Sequence, residues 1–133
     1  VPNRLFPRPE QLARARIENL GIIRSRAQTI RSVANAVLSG ELDFDTAVPA
    51  ERIRAALIAI KGIGDWTAEY VAMRAMKDPD AFPASDLGLL RAFDHPVAGR
   101  MKPSELMNRA EAWRPWRAYA ALWIWGSPKG AGG

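Results

Sequence analysis

Two stretches of this sequence hold residues whose types and spacing could do chemistry. The first is Leu57-Ile58-Ala59-Ile60-Lys61-Gly62-Ile63-Gly64-Asp65-Trp66-Thr67-Ala68. Two glycines around one apolar residue let the backbone turn sharply and approach another molecule with no Cβ in the way. Helical character resumes at Asp65, so the unpaired N–H groups and positive dipole end of that helix point out of the turn toward where a phosphate would sit. Ile63 would plug back between the flanking helices, and Lys61 adds a cation beside the phosphate position. Gly-x-Gly by itself reads better as the short turn of an ordinary αα-hairpin. The second stretch is Asp80-Ala81-Phe82-Pro83-Ala84-Ser85-Asp86-Leu87-Gly88-Leu89, with Asp86 at a helix start. On residue type alone Asp86 is an N-cap. His95, the sole histidine, lies in a loop-like Asp-His-Pro stretch and reads as a solvent-exposed side chain with nothing nearby to make it a ligand.

The elements that must position these residues read as helices. Pro9 stands near the first turn of one, where its missing N–H costs nothing, and Gly21 breaks the pattern. Ala27, Ile30, Ala34, Val37 and Leu38 recur at helical spacing from about Arg24 to Ser39, and Gly40 supplies the stop. After a polar loop from Glu41 to Pro49, a helix from Ala50 to Ile60 puts Ile53, Ala56, Leu57 and Ile60 on one face. The helix after the Gly-x-Gly turn continues to about Met76, and another begins near Ser85-Asp86. Two more fit Pro103–Trp113 and Pro115–Trp125, each opening on proline, and a Gly-rich tail from Gly126 to Gly133 reads as frayed. Trp113, Trp116 and Trp123 read as core. With no alternating strand pattern and no internal repeat, the fold class is all-α. The organisation is a single helical unit over 1–133, with the hairpin at 50–77, the Asp86 segment at 78–93 and C-terminal helices at 103–125.

Composition narrows the classes. The chain has 133 residues, 48% of them hydrophobic, enough for one domain with a real core. It has no cysteine, which excludes disulfides, thiolate zinc sites and cysteine-ligated iron–sulfur clusters within it. No run approaches the ~20 apolar residues of a membrane span, and no signal-peptide pattern opens the chain. These features lead us to expect no membrane partner, and the lack of cysteine suits a reducing cytoplasm without requiring it. Lys and Arg number 19 against 14 Asp and Glu, and the net charge of +5 is compatible with a polyanionic partner without demanding one.

The string from Leu57 to Ala68 resembles the helix-hairpin-helix motif, commonly Leu-x-x-Leu-Pro-Gly-hydrophobic-Gly-x-x-Thr-Ala. Here Ile60 replaces Leu and Lys61 replaces Pro. The wider pattern is similar to the AlkA-type 3-methyladenine DNA glycosylases. It includes Leu5-Phe6-Pro7-Arg8-Pro9, Gly62 to Ala68, the loop leading to Asp86, and Trp113-Arg114-Pro115-Trp116-Arg117-Ala118-Tyr119-Ala120. These matches run in the family's order from about Leu5 to Trp125, nearly the whole chain. The wording Ala-Phe-Pro-Ala-x-Asp-Leu-Gly-Leu is especially like enzymes fused to an Ada-type alkylation-response regulator.

The resemblance implies a helix-hairpin-helix DNA glycosylase fold that binds double-stranded DNA carrying alkylated bases. It makes Lys61, Gly62, Ile63, Gly64 and Thr67 the clamp on the DNA backbone. The backbone carbonyls of Ile58, Ile60 and Ile63 would hold a monovalent cation, Na⁺ or K⁺, in the DNA-bound state, with no other cofactor. It makes Asp86 the catalytic carboxylate. Breaking an N-glycosidic bond builds positive charge on the sugar, and a fixed anion stabilises that charge and orients the attacking water. An N-alkylated purine is already cationic and leaves without a strong general acid, so one Asp suffices. Trp66 occupies the position of the Schiff-base lysine of bifunctional relatives, which implies monofunctional hydrolysis to an abasic site. Trp66, Tyr70 and Trp125 would surround the flipped base, where electron-rich rings favour a cationic one.

Family members have a longer N-terminal region, with a β-rich domain, further helices and a wedge side chain, none recognisable here. Its absence implies a truncated chain with an apolar face left open to self-association. The competing readings are a non-catalytic helix-hairpin-helix DNA-binding module and a bifunctional glycosylase/lyase.

Overall fold

The computed structural model describes residues 3–45 and 47–127; the Gly-rich tail beyond Ser127 lies outside the described residues. Among the described residues, seven α-helices and two short 3₁₀ turns fall into two compact units that meet in sequence between Gly64 and Asp65. Among the described residues the only β feature is an isolated bridge between His95 and Gly99, so the all-α reading stands. No described helix is long and apolar enough to cross a membrane.

The first unit holds α1 (Pro9–Arg14), a 3₁₀ turn (Ile17–Leu20), α2 (Arg24–Ser39) and α3 (Ala50–Ile58). The stretch from Pro9 to Gly21 is therefore two elements, not one. Ala15 takes an extended backbone (ψ 144°), which drops Ile17 into the core at 3% exposure. It also brings Glu18 to Arg31 of α2, where two bonds of 3.0 and 2.6 Å form a fork. That fork, above all its hydrogen bonds, holds the Glu18 pKa down at about 2. α2 buries Ala27 and Ala34 as its periodicity requires, while Leu38 stays exposed. α3 buries Ile53 and Leu57. It stops two residues before the expected Ile60, because the Ile60 N–H bonds Leu57, three residues back, tightening the chain before the turn.

The second unit holds α4 (Asp65–Arg74), α5 (Leu87–Arg91), α6 (Pro103–Ala110), a 3₁₀ turn (Glu111–Trp113) and α7 (Arg117–Gly126). Its core gathers Ala72, Met73, Phe82, Leu89, Leu106 and Ala121 with their neighbours. Burying each Leu or Phe contributes about 1.5–3 kcal/mol. The segment between α4 and α5 is not a free loop: Ala81 to Ala84 are all buried. Asp80 ties it to α7, accepting from the Arg117 Nε at 2.9 Å, and the Pro79 carbonyl accepts the Ala118 N–H at 2.9 Å. Arg117 is the buried charge this requires, only 9% exposed and paired as a buried charge must be.

Two expectations for the C-terminal helices change. α7 opens at Arg117, not Pro115, because the Trp116 carbonyl is the first to accept helical N–H groups, from Tyr119 and Ala120. Trp113 packs on Phe82 and Phe93, as a core residue does. Trp116 and Trp123 instead stand 58% and 80% exposed, with Tyr119 on the same outward stripe of α7.

Candidate active site

Asp86 caps α5, its Oδ1 accepting the Leu89 N–H at 2.9 Å. Residue type alone foretold that bond. Two further donors were not legible in the sequence. The Trp125 Nε1 donates to Oδ1 at 2.9 Å from 39 residues away, and the Trp66 Nε1 donates to Oδ2 at 2.8 Å from 20 residues away. Burial of the carboxylate works against its charge. The bonds from Trp125, Leu89, Trp66 and the Gly88 N–H outweigh it, and the pKa lies below the ordinary Asp value. Oδ1 takes the Leu89 and Trp125 bonds and Oδ2 the Trp66 bond, so both carboxylate oxygens are held by the protein.

Gly88 makes this packing possible. A Cβ there would lie 3.0 Å from Asp86 Oδ1 and 3.5 Å from the Trp125 ring, so the carboxylate would have to give by a few tenths of an ångström to admit it. The Gly in Asp86-Leu87-Gly88 was the available signal in the sequence.

The aromatic residues expected around a base do gather at Asp86. Trp66 and Tyr70, one turn apart on α4, stack with centroids 4.9 Å apart and an 11° interplanar angle. Trp125 meets Tyr70 at 6.3 Å and 56°. One turn beyond Tyr70, the Arg74 guanidinium lies 5.6 Å from the Tyr70 centroid. Helical spacing therefore brackets the Tyr70 ring between Trp66 and Arg74. A cavity of about 470 Å³ opens beside Trp66, lined also by Glu69, Phe82, Ser85 and Met107. His95 is exposed, and its Nδ1 accepts the N–H groups of Val97 and Ala98, so it serves its own loop.

In the first unit the chain turns at Lys61-Gly62-Ile63-Gly64. Gly62 has φ +97°, a conformation that L side chains rarely adopt. A Cβ on it would also collide with the Thr29 hydroxyl of α2, which donates to the Lys61 carbonyl at 2.9 Å. Thr29 is a second residue that the sequence pattern did not single out. Ile60 accepts the Ile63 N–H at 3.1 Å, closing the turn, and its carbonyl keeps a second lone pair. Lys61 and Gly64 are exposed and Ile63 is half-buried; Thr67, in the first turn of α4, is half-buried. Among the described residues no group of three or more His, Cys, Asp or Glu side chains is placed to hold a metal ion.

No family model matches the chain. It is 39% identical over 120 residues to a Mycobacterium tuberculosis protein named "Probable bifunctional transcriptional activator/DNA repair enzyme AlkA", covering 90% of this chain and 24% of that one. It is 36% identical over 123 residues to the Escherichia coli DNA-3-methyladenine glycosylase 2, covering 90% and 42%. The Schizosaccharomyces pombe 3-methyladenine DNA glycosylase Mag1, solved with abasic DNA, superposes with a TM-score of 0.83 at 26% identity, covering 94% of this chain and 65% of that one. The chain is related to the AlkA-type 3-methyladenine DNA glycosylases. Its fold is the helical one of these enzymes, and a Bacillus halodurans DNA-3-methyladenine glycosidase shows it again, with TM-score 0.75 and 32% identity, covering 90% of this chain and 58% of that one. The chain spans less than half the length of the first curated relatives it matches.

Proposed function

We propose that this chain carries the catalytic carboxylate of a monofunctional DNA glycosylase that removes alkylated, 3-methyladenine-type bases in base excision repair. The observation that carries the reading is Asp86, held ionised at a helix start by a backbone N–H and two indole N–H groups. Water forms a bond to the sugar C1′ as the C1′–N bond breaks. The bond's electron pair returns to the cationic base and neutralises it, and the water's proton passes to Asp86 or solvent. Asp86 stabilises the positive sugar between these events. An indole cannot form a Schiff base, so Trp66 leaves water as the nucleophile. Trp66, Tyr70 and Trp125 supply the aromatic surface for the base.

DNA is the partner, in keeping with the net charge of +5 and with the DNA bound to Mag1. Lys61, Gly62, Ile63, Gly64 and Thr67 meet its backbone. In the DNA-bound state the carbonyls of Ile58, Ile60 and Ile63 would hold a Na⁺ or K⁺. Three neutral carbonyl oxygens are a donor set for a hard cation, which would neutralise phosphate charge there.

The test is the fate of alkylated duplex DNA. Free 3-methyladenine should be released, leaving abasic sites, with no protein–DNA adduct trapped by borohydride. Binding without release would make the chain a non-catalytic helix-hairpin-helix module. A trapped adduct would make it a glycosylase/lyase.

A further inference from the structure

Between α4 and Asp86 runs a segment whose backbone is held at a point that the catalytic reading leaves unused. The Glu69 Oε2 accepts the Phe82 N–H at 2.9 Å. Phe82 is 1% exposed, so that N–H has no access to solvent. From this anchored peptide the chain proceeds through short bonds: Phe82 accepts the Ala84 N–H at 3.0 Å, and Pro83 accepts the Asp86 N–H at 2.9 Å. The same helix that presents Glu69 presents Trp66 one turn earlier, the donor to Asp86 Oδ2. α4 therefore grips both the backbone leading into Asp86 and the carboxylate itself.

We propose that Glu69 is a positioning residue for Asp86, fixing the distance between the carboxylate and the Trp66 indole by anchoring the Phe82 peptide. The inference rests on Asp86 as the catalytic anion. Glu69 acts through the Phe82–Asp86 backbone. Asp80, held by Arg117, braces the segment from the other end. Glu69 therefore sets the register of the Asp86 end, while Asp80 ties the segment to α7.

The experiment compares Glu69→Ala with Glu69→Gln by single-turnover base release across pH, with melting curves to confirm folding. The Ala variant should lose roughly 10- to 100-fold in rate with DNA affinity and KM unchanged, as expected for a misplaced catalytic group. Its acid limb should move to higher pH as the Trp66 bond to Asp86 lengthens. The Gln variant keeps an acceptor oxygen for the Phe82 N–H and should restore both rate and pH profile. A folded Ala variant with wild-type rate and profile overturns the proposal, and so does a Gln variant as impaired as Ala. If Asp86→Asn retains full activity, the catalytic reading itself fails, a result distinct from either Glu69 outcome.

Discussion

The turn at Lys61–Gly64 offers backbone, and the site at Asp86 offers side chains. At the turn, one glycine with positive φ lies so close to Thr29 that no Cβ fits, and Lys61 and Gly64 beside it are exposed. At Asp86, a single charge is enclosed by tryptophan N–H groups drawn from α4 and α7. Backbone groups recognise any phosphate alike and carry no base information. A carboxylate with a fixed shell of donors stays charged in a partly buried place, ready for a developing cation. On the proposed function, the difference separates grip from chemistry, and substitutions should separate them too.

The largest effect belongs to Asp86. Asp86→Asn keeps the shape but removes the charge, and it sets an amide NH₂ against one of the two indole donors. Base release should fall by roughly 10²–10³-fold or more while DNA affinity holds. A loss of both together in a folded protein would erase the division between the two regions. Next is Gly62→Val, which meets the Thr29 hydroxyl and forbids the +97° φ. It should weaken binding to unrelated duplexes equally, as read by fluorescence anisotropy. Unchanged affinity in a folded variant would take the turn out of the DNA interface. The smallest is Lys61→Ala, which should lower the magnitude of the salt slope by about one unit, the signature of one lost phosphate-neutralising charge. An unchanged slope would leave the turn working through backbone alone.

How legible each region was in the sequence follows from the same contrast. The turn is local: Gly-Ile-Gly followed by a helical start states its own geometry within a few residues. α2 was legible end to end, since its apolar spacing and Gly40 mark it without help from other elements. Asp86 was legible as a cap, because its partner Leu89 is three residues on. Its indole donors were not, because Trp66 and Trp125 reach it only after the second unit packs. The resemblance placed both tryptophans near a base, and the structure adds that their N–H groups face the carboxylate. Trp116 and Trp123 misled for a related reason. Tryptophan suggests burial, but Trp116 just before α7 and Trp123 on it both turn outward.

The central claim is that Asp86 acts as an anion and that the indole N–H groups hold it so. The pH dependence of single-turnover base release in the wild type and in Trp125→Phe tests it most directly. Phe keeps a smaller aromatic ring and lacks the N–H that donates to Oδ1. An anion is required, so the rate should fall as pH drops through the Asp86 pKa. In the wild type that acid limb should lie below the ordinary Asp value of about 3.9. In Trp125→Phe it should move to higher pH, because one bond favouring the charged form is gone and the burial that opposes it remains. An acid limb in the same place in both proteins would contradict the account.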